Sequence, residues 1–358
     1  MTDKMSILIG AAAIAVYCLL VFYIGKNLHV TLQVFGMTRY TRLYWIVLYA
    51  ISFTYFGSSI HEAFKIIGSY WLFFFQYGLL FSLLGNFIYY VLRYRNKKVV
   101  GGGAVLSIIV LCFVGLYNAY TPVVHQTTMN VSKLMSQPMR IVVASDFHLG
   151  VLSHKDHLQN FVNLANEAEP DIVFLVGDLI DDDPKWFVEE GMAAILSQLD
   201  TKHGVYAVLG NHEYYGGKID ELVIEMEKAN VHMLLDETIN IHDMIYVTGQ
   251  EDRTNEERLA IEALAPVNHD LPWFVMNHTP DDLHTPEQAG VDAHFSGHTH
   301  RGQLWPNEWI TNQIFEVDYG HEMKNDMHVL VSSGFGFWGP PMRIGSQSEL
   351  WIVDVVNE

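Results

Sequence analysis

The first third of the chain contains four long apolar runs without a charged residue, at 5–25, 43–60, 66–92 and 99–120. A helix needs about 20 apolar residues to cross a bilayer, so each run reaches or approaches the required length. None of the runs keeps a polar face for water, which argues against buried helices of a soluble protein. We therefore predict a membrane domain of four transmembrane helices at 1–120, of which 43–60 is the shortest.

Charge is divided unevenly along the chain. Residues 1–120 carry nine basic and two acidic residues, a net charge of +7, whereas residues 121–358 carry 12 basic and 38 acidic residues, a net charge of −26. A domain this acidic repels phosphate backbones, which excludes nucleic acid as a partner. Because Cys18 and Cys112 both lie in the apolar third, the acidic part has no disulfide, cysteine ligand or cysteine nucleophile.

The basic residues between the apolar runs predict the orientation in the membrane. The loops after the first and third runs share a face if all four runs cross, and they carry Lys26, Arg39, Arg42, Arg93, Arg95, Lys97 and Lys98. The other face has Lys4, Lys65 and Lys133. This bias places the basic loops in the cytoplasm and the acidic domain outside; the orientation reverses if 43–60 does not cross. His61 and Glu62 are interpreted as part of a solvated loop.

Residues 121–139 are predicted to be a polar linker, and residues 140–358 alternate between strand and helix patterns. The predicted strands are 141–145, 172–176, 205–209, 245–249, 273–276, 293–295, 329–331 and 350–355. The predicted helices are 158–167, 187–199 and 219–228. This alternation indicates an α/β domain with a largely parallel sheet.

Polar residues follow five of the predicted strands. They form the segments Asp146-Phe147-His148, Gly177-Asp178-Leu179-Ile180-Asp181, Gly210-Asn211-His212-Glu213, Asn277-His278 and Gly297-His298-Thr299-His300. Ligands collect at the carboxyl ends of strands in open α/β sheets, so we expect these segments to converge. Two aspartates, four imidazoles and one amide form a mixed oxygen–nitrogen set that suits Mn, Fe, Zn or Co. Seven ligands suffice for two bridged ions, and Asp178 is the natural bridge.

These five segments, in this order, resemble the calcineurin-like metallophosphoesterase superfamily over residues 140 to about 355. The tail 333–343 and the hydrophobic third resemble its membrane-attached bacterial branch. Where such relatives often have Gly-Gly-Gln after the last histidine, this chain has Arg301-Gly302-Gln303, which puts a cation beside the site. The resemblance implies an α/β domain of two mixed β-sheets packed together and flanked by helices, joined here to a multi-span helical membrane domain.

The resemblance also implies roles for individual residues. One divalent ion would be held by Asp146, His148, Asp178 and His300, and a second by Asp178, Asn211, His278 and His298. His212 would donate a proton to the leaving group, with Asp181 nearby as its partner. The implied reaction is attack of a metal-bound hydroxide on phosphorus, with Mn favoured over Fe or Zn as the two transition-metal ions.

Several residues beside these segments keep more than one interpretation. Arg301 is expected either to contact the substrate phosphate or to form an ordinary ion pair. Asp182 and Asp183 are interpreted as a solvated loop end. The aromatic residues Phe335, Phe337 and Trp338 form either a lid or membrane-dipping loop, or simple packing.

We expect a membrane-anchored phosphoesterase that hydrolyses a phosphoester or pyrophosphate of a lipid or cell-envelope molecule. Four spans exceed what anchoring requires, and they would hold the site near lipid headgroups. One alternative is a hydrolase of soluble phosphoesters. Another is a non-catalytic metal-binding scaffold, although neither a ligand nor the acid is missing. A transporter is disfavoured because the spans lack buried charges. The sequence does not indicate the oligomeric state.

Overall fold

The computed structural model describes residues 2–37, 39–58, 60–268 and 270–357. The chain divides into two compact units, Met1–Val114 and Gly115–Glu358. The first unit is helical and contains α1 (Thr2–Val34), α2 (Thr41–Ser52), α3 (Glu62–Asn86) and most of α4 (Lys97–Tyr120). A 3₁₀ turn (Thr54–Gly57) follows α2, and a π-helical turn (Phe87–Val91) extends α3.

Three helices in the described part of the chain are long and apolar enough to span a membrane, at Met5–Val34, Glu62–Val91 and Lys97–Tyr120. The run 43–60, predicted as a fourth span, is not among them, and that span stays a prediction. Its helix, α2, has only 12 residues and a length of about 18 Å before the chain turns. Within this unit the Nε1 of Trp71 donates to Tyr17 Oη at 2.8 Å, which ties α3 to α1.

The second unit contains twelve strands among its described residues. They are β1 (Val123–Val131), β2 (Met139–Ala144), β3 (Ile172–Val176), β4 (Val205–Val208), β5 (Val231–Met233), β6 (Glu237–Ile241), β7 (Ile245–Gly249), β8 (Trp273–Met276), β9 (Ala293–Ser296), β10 (Gly320–Lys324), β11 (Met327–Val331) and β12 (Glu349–Asn357). Its further helices are α5 (Lys155–Glu167), α6 (Lys185–Glu189), α7 (Met192–Leu196), α8 (Asn211–Gly216), α9 (Ile219–Lys228), α10 (His284–Ala289) and α11 (Glu308–Ile314).

The strands form two six-stranded mixed sheets, with orders β1-β12-β2-β3-β4-β5 and β10-β11-β9-β8-β7-β6. In the first sheet β2 to β5 are parallel and β12 is antiparallel to β2. In the second sheet β7, β8, β9 and β11 are parallel, while β6 and β10 pair antiparallel at its edges. The two mixed sheets implied by the family resemblance are thus confirmed.

Alternate residues of β2 and β3 pack into different cores. Val142 and Val173 join the cluster under α5 and α9, whereas Ile141 and Phe174 join a cluster shared with β8, β9 and β11. This two-residue alternation is what a strand buried on both faces requires. The first sheet is therefore covered by helices on one side and by the second sheet on the other.

The segment predicted as a polar linker, 121–139, contains an edge strand instead. β1 pairs in parallel with β12 over nine residues, from Val123 opposite Glu349 to Val131 opposite Asn357. Most of its side chains alternate between half-buried and exposed positions, and polar residues such as Gln126 and Thr128 hid the pattern. The predicted helix 187–199 is likewise divided into α6 and α7, because Gly191 between them has a positive φ of 64°.

Candidate metal centre

The predicted ligands lie after the ends of β2, β3, β4, β8 and β9, with Asn211 at the first residue of α8 and His300 at the start of a 3₁₀ turn, so both sheets contribute to one site. Five of these residues have a positive φ, between 45° and 69°, namely Asp146, His148, Asp178, His298 and His300. Left-handed backbone is unfavourable for residues other than glycine and is commonly retained at functional sites. Cross-loop bonds hold the geometry: the Asp146 N–H donates to Gly177 O, and the His148 N–H donates to Asp178 O, both at 3.0 Å.

Asp146, His148 and His300 bring ligand atoms within 4.8 Å of one another. The Nε2 of His300 lies 3.4 Å from Asp146 Oδ1 and 3.0 Å from the Nε2 of His148. The aspartate is completely buried, and it accepts the backbone N–H of His298 and the Ser145 hydroxyl. Burial raises the pKa of Asp146 to about 6 despite the opposing effect of His278.

A second group contains Asp178, His278 and His298, also within 4.8 Å. The Nε2 of His278 lies 3.1 Å from Asp178 Oδ2, and the Nδ1–H of His298 donates to Asn211 Oδ1 at 2.8 Å. Asp178 Oδ2 is also 3.7 Å from the Nε2 of His148 in the first group. The carboxylate of Asp178 therefore lies between the two groups.

The residues present fit divalent cations. The Nδ1–H of His278 donates to Val176 O at 2.8 Å, so a neutral His278 turns the lone pair of its Nε2 toward Asp178 and Asp146. In that neutral form the buried Nε2 receives no hydrogen bond. A lone pair facing two carboxylates is repulsive unless a cation lies between them. Correspondingly, although burial lowers the pKa of His278, the charge of Asp178 outweighs burial and raises it well above its usual value.

Glycines leave room for this arrangement. A β-carbon at Gly210 would lie 2.2 Å from Asp178 Oδ1, and one at Gly297 would lie 2.3 Å from Asp146 Oδ2. At Gly177, where φ is 78°, a β-carbon would lie 2.6 Å from Nδ1 of His278. The three glycines that precede Asn211, His298 and Asp178 in the sequence therefore allow the loops to approach the carboxylates closely.

His212 lies beside the two groups and is paired with a residue that the sequence analysis interpreted as solvated. Its Nδ1 is 2.7 Å from Asp182 Oδ1 and 3.9 Å from Asp181 Oδ1, so Asp182 is the nearer carboxylate, while Asp181 lies close by as expected and its catalytic role stays a prediction. The backbone N–H of His212 donates to Asp178 Oδ1 at 2.9 Å. Burial lowers the pKa of His212, but the bond to Asp182 and the charge of Asp178 outweigh burial and raise it to about 9.

Glu213 is a further residue of the site to which the sequence analysis gave no role. Its buried carboxylate accepts the backbone N–H groups of Gly210 at 2.6 Å, Ile180 at 3.0 Å and Asp178 at 3.1 Å. It thereby joins the loops after β3 and β4. Burial and the neighbouring charge of Asp178 raise the pKa of Glu213 to about 7. Its place next to the Asn211-His212 pair was the available sequence signal.

Two arginines lie near the last histidine. Arg301, predicted to bind substrate, is exposed and stacks over the ring of Tyr319 at 4.3 Å. Arg343, which the sequence analysis did not single out, is completely buried, and its Nη2 lies 3.2 Å from His300 Nδ1. Of the aromatic residues in the tail, Phe335 and Phe337 are buried core residues, whereas Trp338 is exposed with its ring 6.3 Å from that of His212.

Comparisons with known proteins agree with this geometry. A family model described as calcineurin-like phosphoesterase matches residues 139–302. An uncharacterized metallophosphoesterase of Campylobacter jejuni is 30% identical over 261 residues, 70% of this chain and 69% of that protein. One from Aquifex aeolicus is 31% identical over 242 residues, 65% of this chain and 91% of that protein. A transmembrane protein with metallophosphoesterase domain from Bos taurus is 32% identical over 271 residues, 69% of this chain and 60% of that protein.

Proposed function

Because this chain belongs to the calcineurin-like phosphoesterase family, it is a metal-dependent phosphoester hydrolase, and we propose that it cleaves a phosphoester or pyrophosphate of a lipid or cell-envelope molecule. The observation that carries the proposal is the pair of ligand groups joined at Asp178, in a chain with three helices long enough to span a membrane. Such helices would keep the enzyme at lipid headgroups.

We assign the ligands as two sets that share the carboxylate of Asp178. Asp146, His148, Asp178 and His300 would hold one ion, and Asp178, Asn211, His278 and His298 the other. When bound, the ions would supply Lewis acidity, which polarises the phosphoryl group and lowers the pKa of water so that hydroxide is available as the nucleophile near neutral pH. The mixture of imidazole and oxygen donors favours Mn, with Fe or Zn as alternatives.

The chain's own residues would orient the substrate and move one proton. His212, protonated below a pKa of about 9, would donate its proton to the oxygen of the leaving group. Asp182 accepts a hydrogen bond from His212 Nδ1 and so would leave Nε2 as the donating atom. Arg301 is exposed and stacks on Tyr319. Its guanidinium would leave that ring to bind a phosphate oxygen of the substrate.

We also propose that the phosphoesterase unit lies outside the cytoplasm. With three spans, Arg39 and Arg42 fall on the same side as this unit, so the bias of seven basic residues against three no longer holds. The densest basic cluster, Arg93 to Lys98, directly precedes the apolar part of α4. Because α4 alone separates this cluster from β1, a cytoplasmic cluster would place the unit outside, and the reversal expected from the sequence if 43–60 does not cross would not follow.

The experiment is a hydrolysis panel on the full-length protein in detergent, after chelation and with Mn, Fe or Zn added back. The panel holds bis(p-nitrophenyl) phosphate, phospholipids and a lipid-linked pyrophosphate. We expect chelation to abolish turnover, Mn to restore it most fully, and a lipid to be the best substrate. If the soluble ester is hydrolysed and none of the lipid substrates is, the protein is a hydrolase of soluble phosphoesters. No turnover with any metal would contradict the proposal.

A further inference from the structure

The short helix α11 presents its apolar side chains to the outside of the phosphoesterase unit. Trp309, Ile310 and Ile314 are 64%, 60% and 64% exposed, and Trp305 just before the helix is 38% exposed. These four residues are called the α11 stripe below. Ile310 and Ile314 are four residues apart in α11, so they fall on the same face of the helix. The ring of Trp305 lies 5.7 Å from that of Trp309, which joins the two tryptophans in one surface.

The opposite, polar face of α11 is the one attached to the protein. Thr311 Oγ1 donates to Asp318 Oδ2 at 2.7 Å, and Asn312 Nδ2 donates to Asp318 Oδ1 at 3.1 Å. Glu308, the single acid in the helix, has one carboxylate oxygen buried. A surface helix of a soluble protein normally turns its apolar face inward, so α11 is inverted.

The α11 stripe lies close to the end of the span α4. The Trp305 N–H donates to Ile344 O at 2.7 Å. The next residue back, Arg343, donates its N–H to Gly115 O of α4 at 3.0 Å, and a β-carbon at Gly115 would lie 3.3 Å from Ile344 Cδ1. These contacts all belong to the second unit, Gly115–Glu358. The loop that carries Trp305 is thus packed on the last turns of α4.

The depth of that contact can be worked out from helix geometry. Gly115 precedes the end of α4 at Tyr120 by five residues, which is about 7.5 Å along the axis. The uncharged part of α4, 99–120, is about 33 Å long and little exceeds the hydrocarbon thickness of about 30 Å. If α4 spans the bilayer, Gly115 would therefore fall at the lipid interface, together with the loop packed against it.

From the inverted helix and this depth, we propose that the α11 stripe is a membrane-contact surface that inserts into the lipid interface. Tryptophan and isoleucine without a charge among them are the composition of interfacial segments. The stripe belongs to a part of the chain with a net charge of −26, which would bind a basic protein through its charged surfaces. The stripe itself has no charge with which to form ion pairs, so its chemistry favours lipid over a basic partner.

The same contact bears on the substrate, and this consequence rests on the proposed function. Phe315 directly follows α11, and its ring lies 5.9 Å from that of His298. An inserted stripe would therefore hold the rim of the metal centre within a side chain's length of the headgroups. A phosphoester near the glycerol or polyprenol end of a lipid could then reach the site without leaving the bilayer.

The test places a single environment-sensitive label on the full-length protein in phosphatidylcholine vesicles, with Cys18 and Cys112 replaced. Ile310→Cys carries the NBD fluorophore, and Ile314→Cys is a second variant in case the first does not fold. Ile224→Cys on α9 is the matched control, because Ile224 is 53% exposed. Doxyl-labelled phosphatidylcholine is the quencher.

We expect blue-shifted emission that doxyl lipid quenches at positions 310 and 314, and unquenched, water-like emission at 224. Water-like emission at 310 and 314 would overturn the proposal. So would blue-shifted emission that lipid does not quench, because a second copy of the chain or another protein would then cover the stripe. The readout involves no turnover, so the failure of this proposal and that of the proposed function can be told apart.

Discussion

His212 is the residue whose protonation controls the proposed proton transfer. Its pKa is raised to about 9, above the usual 6.5, so the donating form is present below pH 9 and is lost as the pH rises through that value. Asp182→Asn removes a hydrogen-bonded charge that favours the protonated form. We therefore expect kcat of the Asp182→Asn variant to fall at a lower pH than kcat of the unsubstituted enzyme, and a pH–rate profile of each measures this.

Asp183→Asn is the matched control for this shift, because it removes the same charge one residue away. Asp183 pairs with Lys218 at 2.9 Å and is half exposed. The kcat of Asp183→Asn should fall at the same alkaline pH as that of the unsubstituted enzyme. Identical profiles for Asp182→Asn and Asp183→Asn would show that Asp182 does not act on His212.

The identity of the leaving group gives an independent measure of the role of His212. His212→Ala should keep both metals and lose roughly 10²–10⁴ in kcat, the usual contribution of general acid catalysis. The loss should shrink for nitrophenyl esters, whose leaving group needs no proton. Equal losses for nitrophenyl and alkyl esters would argue against proton donation.

Gly210 tests the close packing around Asp178. A β-carbon there would lie 2.2 Å from Asp178 Oδ1 and 2.5 Å from its backbone nitrogen, so Gly210→Ala must displace the carboxylate. We expect metal binding and turnover to fall sharply while the circular dichroism spectrum is kept. Gly103→Ala, where the added carbon meets nothing within 4 Å, is the control. Full metal content in Gly210→Ala would contradict the proposed bridge.

At this scale the sequence predicted which side chains converge but not every partner. Spacing and strand ends identified residues such as Asp146, Asp178 and His278, because parallel strands end at one edge of a sheet. Which of Asp181 and Asp182 lies nearer to His212 depends on the backbone conformation of the loop after β3, where Asp182 has a positive φ of 67°. Hydrophobic pattern carries no information about such a turn.

At the scale of elements, the strands that pattern reading missed are the four edges of the two sheets. β1, β5, β6 and β10 have one neighbour each, and β5 has three residues. Central strands such as β3 and β8 are buried throughout, so their apolar runs were found with the bounds that the structure has. Edge strands are short and partly polar, which weakens their signal.

The segment that returns from the metal centre to α4 is held by one buried side chain. Arg343 donates to Gly336 O at 2.8 Å and to the carbonyl oxygens of Ser333 and Gly334, and burial lowers its pKa to about 10. Arg343→Met removes the donor to the carbonyl groups of Ser333 and Gly336, whereas Gly334 O keeps the Glu349 N–H, and this should reduce the free energy of unfolding by roughly 3 kcal/mol or more.

Thermal unfolding of the two arginine variants in one detergent measures this effect. Arg140→Met is the control, since Arg140 forms a half-exposed ion pair with Asp354 at 2.8 Å, and such pairs contribute about 1 kcal/mol or less. We expect a much larger fall in melting temperature for Arg343→Met than for Arg140→Met. Equal falls would show that Arg343 does not organise the tail.

At the scale of the whole molecule, the proposed side of the membrane depends on which basic residues determine the orientation. The run 43–60 has the composition of a span, but its helix α2 is only 12 residues long because the chain turns at Thr54–Gly57. Composition therefore predicted helices apolar enough to span a membrane, whereas the number of spans could not be predicted from composition alone. The orientation now depends on α4 and the basic cluster before it.

Single cysteines at Ser132 and Asn96 test this orientation in intact cells, with Cys18 and Cys112 replaced. Both positions are exposed, and α4 lies between them in the chain. We expect a membrane-impermeant thiol reagent to label position 132 and to leave position 96 unlabelled until the cells are permeabilised. The reverse pattern would place the phosphoesterase unit, and its substrate, in the cytoplasm.

The central claim is that seven side chains hold two ions joined through Asp178. The most direct measurement is the metal content of the purified full-length protein, determined together with turnover, for the unsubstituted chain, Asp178→Asn and Asp354→Asn. Asp354 carries the same carboxylate in a surface ion pair with Arg140. We expect two ions per chain and full turnover for the unsubstituted chain and for Asp354→Asn, and loss of both in Asp178→Asn. Two ions and full turnover in Asp178→Asn would contradict the account.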